Sequence, residues 1–363
     1  MVPLTILHTE SSLGWGGQEI RIVRESVGMS KRGHRVIIAA PFQSAIFKRA
    51  PGEGLEVLPA EFRKKSPRSI SQMVSLINQV RPDFVNTHSS SDSWVSSIAA
   101  KLSRRGSKII RTRHLSTPIS RSLLSRLIYD LLPEAVMTTG EEIRQRMIHV
   151  NGFRASKIYS VPTGIDLQRF NPEKTIPAFK TDSFAVGMVG VLRSWKGHLF
   201  FLKAIPEILK RVRDAHFYIT GDGPQRENIE NAIREMSLQE HVSLLGHRED
   251  VPEIMASLDL IVHPSYANEG IPQSILQAFA MGKPVIASDI GAIREIVIDR
   301  KTGLLIKPGD PQQIAERVTE LYNHPNMMAR LGNEGRRLVG QEHSIEKMLD
   351  KIEALYRRIL NNE

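Results

Sequence analysis

The chain has 363 residues, 41% of them hydrophobic, no cysteine and a formal net charge of +10. That length suits about two domains of ordinary size, and the missing cysteines exclude a disulfide framework and thiolate chemistry. No window approaches the roughly 20 apolar residues of a membrane span, and the first seven residues are too short and lack the basic flank of a signal peptide, so the expectation is a soluble cytoplasmic protein.

Short apolar runs bounded by turn residues predict strands at Leu4–Leu7, Arg35–Ala40, Asp83–Asn86, Lys108–Thr112, Ala135–Thr138 and Lys157–Val161. Such runs suit strands buried on both faces. Between them lie amphipathic stretches, as at Ile70–Val80. The segment Phe170–Lys180, with two prolines and no clean period, reads as a linker. The second half repeats the alternation. Strands are expected at Ala185–Val191, His216–Thr220, Val242–Leu244, Leu258–His263, Pro284–Ala287 and Gly303–Ile306. Helices are expected at His198–Val212, Glu227–Met236, Val251–Ala256, Ile275–Met281 and Gln312–Tyr322. Strand–helix alternation argues for parallel, doubly wound sheets. The expected fold is therefore α/β, with two Rossmann-like domains facing across a cleft: residues 1–170, then 171–344. The apolar spacing of Met348, Ile352, Leu355, Tyr356 and Ile359 predicts a helix in 345–363; a return of that helix to the first domain is an open alternative that the spacing does not decide.

Charge is unevenly spread. Residues 1–170 hold 25 Lys and Arg against 13 Asp and Glu, whereas residues 171–363 hold 24 against 26. From Ser93 to Tyr129 there are eight cations (Lys101, Arg104, Arg105, Lys108, Arg111, Arg113, Arg121 and Arg126) and no acid. Such asymmetry points to an anionic partner or to a merely soluble basic surface. Nucleic acid fits poorly, because the basic half lacks the interleaved aromatics on which single strands stack. The stretch Ile119–Leu132 is basic and amphipathic, which suits an anionic membrane surface and equally suits an ordinary core-facing helix.

The loop after the first strand carries Gly14, Gly16 and Gly17 ahead of a helix from Ile20. Glycines there let backbone N–H groups approach an anion. The spacing is not that of a dinucleotide fingerprint, and no acid ends the next strand, so a nicotinamide cofactor is disfavoured. A tight turn without ligand is the plainer reading. His88 follows the strand Asp83–Asn86, at the edge where open α/β sheets bind ligands, and His114 follows the next strand in the same way. Either is a substrate contact or a satisfied structural histidine, and His8 reads as structural.

In the second half Arg193 and Lys196 sit past a strand and just before a helix, whose N-terminal dipole adds positive charge. Two cations and a dipole suit a diphosphate. Glu269, followed by Gly270, Ile271 and, eight positions on, Gln277, suits sugar hydroxyls or a helix cap. Together these residue types fit a nucleotide-activated sugar.

The ordered series Gly16-Gly17-Gln18-Glu19, Pro162–Asp166, Arg193 with Lys196, Gly221–Pro224, Gly246–Pro264, Glu269–Gln277 and Gly303–Gly309 resembles the family 4 glycosyltransferases, retaining enzymes of GT-B fold. The resemblance runs over nearly the whole chain. It implies that Arg193 and Lys196 clamp the donor diphosphate and stabilise its charge. It implies that Glu269 binds donor sugar hydroxyls, assisted by the N–H groups of Gly270 and Ile271, and that Gly16 and Gly17 approach the donor phosphate or the acceptor. His88 would lie near the reacting sugar, His114 on the acceptor side, and Arg248 by the nucleobase. The family has a second Glu where this chain has Gln277. An amide still serves ribose hydroxyls, but a catalytic acid pair from these positions is excluded.

The implied activity is transfer of a hexose or related sugar from a nucleotide diphosphate to a glycan or glycolipid hydroxyl in cell-surface polysaccharide or lipopolysaccharide synthesis. With no Asp-x-Asp in the chain, no essential metal and no cofactor beyond the donor are expected. Peripheral attachment to the inner face of the plasma membrane, through the basic half, goes with it. The rival readings are an epimerase of the same fold and a non-catalytic nucleotide-sugar binding protein.

Overall fold

The computed structural model describes residues 2–62, 65–115, 117–267 and 269–361. The chain forms two compact units, one ending at Gly164 and completed by residues from Ile345 onward, the other Ile165–Ser344.

Among the described residues, the first unit holds seven strands: β1 (Thr5–Thr9), β2 (Arg35–Ala40), β3 (Glu56–Pro59), β4 (Phe84–Thr87), β5 (Lys108–Arg113), β6 (Ala135–Thr138) and β7 (Ile158–Ser160). They make one parallel sheet in the order β3-β2-β1-β4-β5-β6-β7. The order reverses between β1 and β4, the place where open α/β sheets open a crevice at their carboxyl ends. Because side chains alternate along a strand, neighbouring residues feed opposite cores. Ile6, Phe84 and Ile110 pack with the C-terminal helix Ile345–Leu360, while Leu7, Val85 and Ile109 pack with the helices Pro67–Val80 and Ser90–Leu102. Tyr356 of the C-terminal helix stacks on Phe84 with ring centroids 4.4 Å apart. Leu349 lies so close to the helix Gly17–Lys31 that a Cβ at Gly28 would fall 2.4 Å from it.

The second unit repeats the plan with β8 (Phe184–Val189), β9 (Ala215–Thr220), β10 (Val242–Gly246), β11 (Leu260–His263), β12 (Val285–Ser288) and β13 (Leu304–Ile306). All pairings are parallel, in the order β10-β9-β8-β11-β12-β13, with the reversal between β8 and β11. Val186, Val262 and Ile286 enter one core, Ala185, Ile261 and Val285 the other. Among the described residues, no helix is long and apolar enough to cross a membrane.

The basic stretch is less of a surface than its composition suggests. Arg111 is 3% exposed, donating to the Ser89 carbonyl (3.0 Å) and the Tyr129 hydroxyl (2.9 Å). Arg113 bonds Thr117, Lys101 pairs with Glu134, and Arg105 with Asp83. The expected single amphipathic face of Ile119–Leu132 also divides. Ile128 and Tyr129 are buried, whereas Leu123, Leu124 and Leu131 are 85%, 63% and 61% exposed.

Candidate active site

In the second unit, the loops after β8 and β11 flank the sheet's reversal. The loop after β8 is stitched to its neighbours by backbone bonds: Gly190 N–H to Thr220 (2.9 Å), Leu192 N–H to Asp222 (3.0 Å) and Gln225 N–H to Leu192 (3.0 Å). A short 3₁₀ turn, Ser194–Lys196, then leads into the helix His198–Arg211 through Gly197. Gly197 has φ +81°, and a Cβ there would lie 2.0 Å from the Pro264 carbonyl oxygen. The backbone can come this close only with glycine. Tyr266 N–H donates to the Trp195 carbonyl at 2.9 Å, so the two loops are bonded directly.

This brings Lys196 to Glu269. Lys196 Nζ and Ser265 Oγ each donate to Glu269 Oε1 at 2.7 Å. His263 Nε2 lies 3.1 Å from Ser265 Oγ and 3.6 Å from Glu269 Oε1, and its Nδ1 is 3.2 Å from Ser274 Oγ. Burial works against the Glu269 charge, but the Lys196 ammonium and His263 outweigh it and hold the carboxyl well below the usual range. Burial and then the Lys196 charge lower His263 and bring His198 down to about 4, so both rings are neutral at pH 7. Neither His263, Ser265 nor Ser274 stood out in the sequence; the sole hint was that all three flank the turn beginning at Glu269.

Arg193 is exposed and stands over the Trp195 ring, 5.6 Å from its centroid. Gly270 and Ile271 are buried between Glu269 and the helix Gln273–Ala280. Gln277 is half-buried within that helix, one turn past its start at Gln273. Arg248 lies past β10, exposed and paired with Asp250 at 2.8 Å.

In the first unit, Gly16 precedes the helix beginning at Gly17, and its N–H donates to Glu19 Oε2 at 2.8 Å. Three histidines converge at the carboxyl ends of the adjacent strands β1, β4 and β5. His8 Nδ1 and His88 Nε2 are 2.9 Å apart, as are His88 Nδ1 and His114 Nε2. Both ring nitrogens of His88 are thus taken by neighbouring rings, and its exposure is 4%. His114, half-buried, is the outer member.

Two acids border this cluster. Asp92 accepts from the N–H groups of His88 (2.8 Å) and Ser89 (2.9 Å), and Glu10 accepts from Ser12 N–H (2.7 Å) and Ser89 Oγ (2.6 Å). Burial, and then the charge of Glu10, push Asp92 up to about 8.

Two parallel α/β units, each with polar groups gathered where its strand order reverses, define the GT-B class of glycosyltransferases. Known proteins agree. Residues 15–169 match the family described as Glycosyltransferase Family 4, and residues 183–324 that described as Glycosyl transferases group 1. The chain belongs to these glycosyltransferases. It is 28% identical, over 80% of its length and 79% of the other's, to an Escherichia coli UDP-Gal:alpha-D-GlcNAc-diphosphoundecaprenol alpha-1,3-galactosyltransferase. It is 26% identical, over 77% and 78%, to the putative glycosyltransferase EpsD of Bacillus subtilis. Among solved structures, a Rickettsia africae glycosyltransferase superposes with TM-score 0.89 at 21% identity over the full length of both chains. Anabaena HepE, crystallised with UDP and glucose, gives 0.85 at 18% identity over 97% and 99%.

Proposed function

We infer that the chain transfers a hexose or related sugar from a nucleotide diphosphate to a hydroxyl of a glycan or glycolipid, with retention at the anomeric carbon and without an essential metal. The observation that carries this reading is the Lys196–Glu269 pair at the reversal of the second sheet. It holds a fixed cation and an ionised acceptor together where α/β sheets bind ligands. The carboxylate's two bonds from Lys196 and Ser265 fall on Oε1, and Oε2 takes part in neither. In the reaction, Lys196 and Arg193 stabilise charge developing on the leaving diphosphate, the largest single source of rate in such chemistry. Glu269 orients sugar hydroxyls, and Gln277 serves the ribose. Gly16, Gly17, Gly270 and Ile271 supply backbone contacts, and Arg248 lines the base. Front-face attack, with the donor phosphate accepting the acceptor's proton, accounts for retention without a carboxylate nucleophile.

A nucleotide-sugar donor is supported by HepE's co-crystallisation with UDP and glucose. A polyprenyl-diphosphate glycolipid acceptor, and with it cell-surface polysaccharide synthesis, is supported by the named substrate of the E. coli relative. Attachment to an anionic membrane is supported by Leu123, Leu124 and Leu131, exposed beside Arg121 and Arg126.

The test is incubation with a panel of UDP-, GDP- and ADP-linked sugars, reading slow donor hydrolysis and transfer to a lipid-diphosphate sugar. Anomeric proton couplings of the product report retention, and an unchanged donor mass would mean epimerisation instead. Transfer should persist in EDTA. Loss restored by magnesium would overturn metal independence, and failure to bind any donor would overturn the whole reading.

A further inference from the structure

The chain of rings His8–His88–His114 continues inward. His8 Nε2 faces Glu25 Oε1 at 4.0 Å, and Glu25 Oε2 lies 3.7 Å from Arg21 Nε, all three residues being no more than 1% exposed. Arg21 is anchored by Nη1 bonds to the Val161 carbonyl and Thr163 Oγ1, both 2.9 Å. Among the described residues, neither oxygen of Glu25 nor His8 Nε2 has a hydrogen-bond partner. The 4.0 Å gap exceeds a hydrogen bond by about 1 Å, within reach of a small rotation of Glu25. Tyr356, from the C-terminal helix, is the other titratable group facing Glu25.

A neutral imidazole has one N–H and one bare nitrogen. When three are joined end to end, every N–H must point the same way, so the ladder has two states. With the N–H groups pointing inward, His8 Nε2–H meets Glu25, His88 Nε2–H meets His8 Nδ1, His114 Nε2–H meets His88 Nδ1, and His114 Nδ1 is left bare. Reversal puts a proton on His114 Nδ1 and a bare nitrogen against Glu25.

We propose that Glu25 sets the direction of this ladder and so fixes His114 with Nδ1 as a hydrogen-bond acceptor at the sheet's carboxyl edge. Glu25, His8 and His88 are then positioning residues for a group three rings away, the way a partner on one ring nitrogen decides the state of the other. The rings' neutrality, which the ladder requires, follows from their setting. Burial and then Arg21 bring His8 down to about 3, and burial with the neighbouring rings and arginines lowers His88 and His114 well below their ordinary value. Burial pushes Glu25 up to about 7 against the pull of Arg21, so its charge, and its hold on the ladder, is present on the alkaline side.

The test is two-bond ¹H–¹⁵N correlation spectroscopy of the full chain with ¹⁵N-histidine, assigned through single-site variants, at about pH 8.5, where unperturbed imidazoles are neutral. All three rings should be neutral, protonated at Nε2 and bare at Nδ1. In Glu25→Gln the three should shift together toward the opposite tautomer. A proton on Nδ1 of any of them in the wild type, or a pattern unchanged in Glu25→Gln, overturns the proposal. If that variant does not fold, the wild-type spectrum decides.

A kinetic arm rests on the transfer reading above. Glu25→Gln should lower kcat about tenfold with donor KM held, the scale for outer groups that orient a working imidazole, and Glu25→Asp should recover part of it. Reversed tautomers with unchanged kcat would remove the positioning role. A wild-type protein that transfers no sugar would sink the transfer reading while leaving the spectra to judge the ladder.

Discussion

Lys196 Nζ lies 2.7 Å from Glu269 Oε1, joining positions 73 residues apart across the reversal of the second sheet. The side chains are 20% and 8% exposed. Removing one partner of such a pair leaves the other charge stranded. Lys196→Met should therefore destabilise the protein by about 3 kcal/mol, the low end for a broken buried pair, as well as stop turnover. Arg193→Ala should leave stability within about 0.5 kcal/mol, since its side chain is exposed, yet cut kcat about 100-fold. Urea unfolding alongside initial rates separates the two, and equal stability losses would contradict this account.

Acidification acts on the same pair with a definite sign. The Glu269 carboxyl is held below its unfolded value, so its contribution is complete above about pH 4.5 and drains as the pH falls below that. In Lys196→Met this drain should vanish. Unfolding curves at pH 3.5 and 5.5, wild type against variant, measure it.

The histidines act at milder pH. His8, His88, His114, His198 and His263 are lowered in the folded state. The unfolded chain therefore takes up protons that the folded one refuses, below about pH 6.5, and each ring can remove up to about 1.4 kcal/mol per pH unit. Glu25, raised to about 7, Asp92, raised to about 8, and Glu10, raised by burial, work the other way as the pH falls toward 4.5. The histidines outnumber them, so stability should fall between pH 7 and pH 5. A flat or rising profile would mean that the rings are charged in the fold.

Glycine substitutions should divide by geometry. A Cβ at Gly197 would collide with the Pro264 backbone in a left-handed conformation, and one at Gly332 would lie 2.1 Å from the Gly282 carbonyl oxygen. Gly197→Ala should cost about 2 kcal/mol or more and weaken binding of whichever nucleotide sugar the panel identifies as donor. Gly340, exposed in the helix Pro325–Glu342 with open space around it, should gain roughly 0.5–1 kcal/mol as alanine. Thermal unfolding of the three variants checks the order.

Membrane attachment, if it uses the exposed leucines, should be lost by changing them. Leu123→Ser with Leu124→Ser should weaken binding to anionic vesicles at least tenfold. The wild type should ignore neutral vesicles and release from anionic ones as salt rises. Equal binding of the wild type to both vesicle types would rule this out.

The framework was legible because buried parallel strands announce themselves. Val186 to Met188 and Leu260 to Val262 are apolar runs between turn residues, and each forms a strand. The edge strand β3, Glu56–Pro59, escaped because none of its residues is fully buried and it ends in proline. Lys196 and Glu269 were readable from their places beside strand ends and helix starts. Their direct pairing was not, because it depends on Gly197 approaching Pro264, a tertiary fact. His88 and His114 stood out singly. That His88 spends both nitrogens on other rings could not be seen, since His8, His88 and His114 meet only through strand order. Arg111 shows the opposite failure. It counted toward a basic surface in the sequence and lies inside the fold.

The helix Ile345–Leu360 closes one face of the first sheet with Met348, Ile352 and Tyr356. During synthesis, residues up to Gly164 leave the ribosome with that apolar face covered only in part, by Met29 of the helix Gly17–Lys31, and stay so while the whole second unit is made. Ribosome-stalled chains ending before position 345 should therefore be protease-sensitive in that half alone.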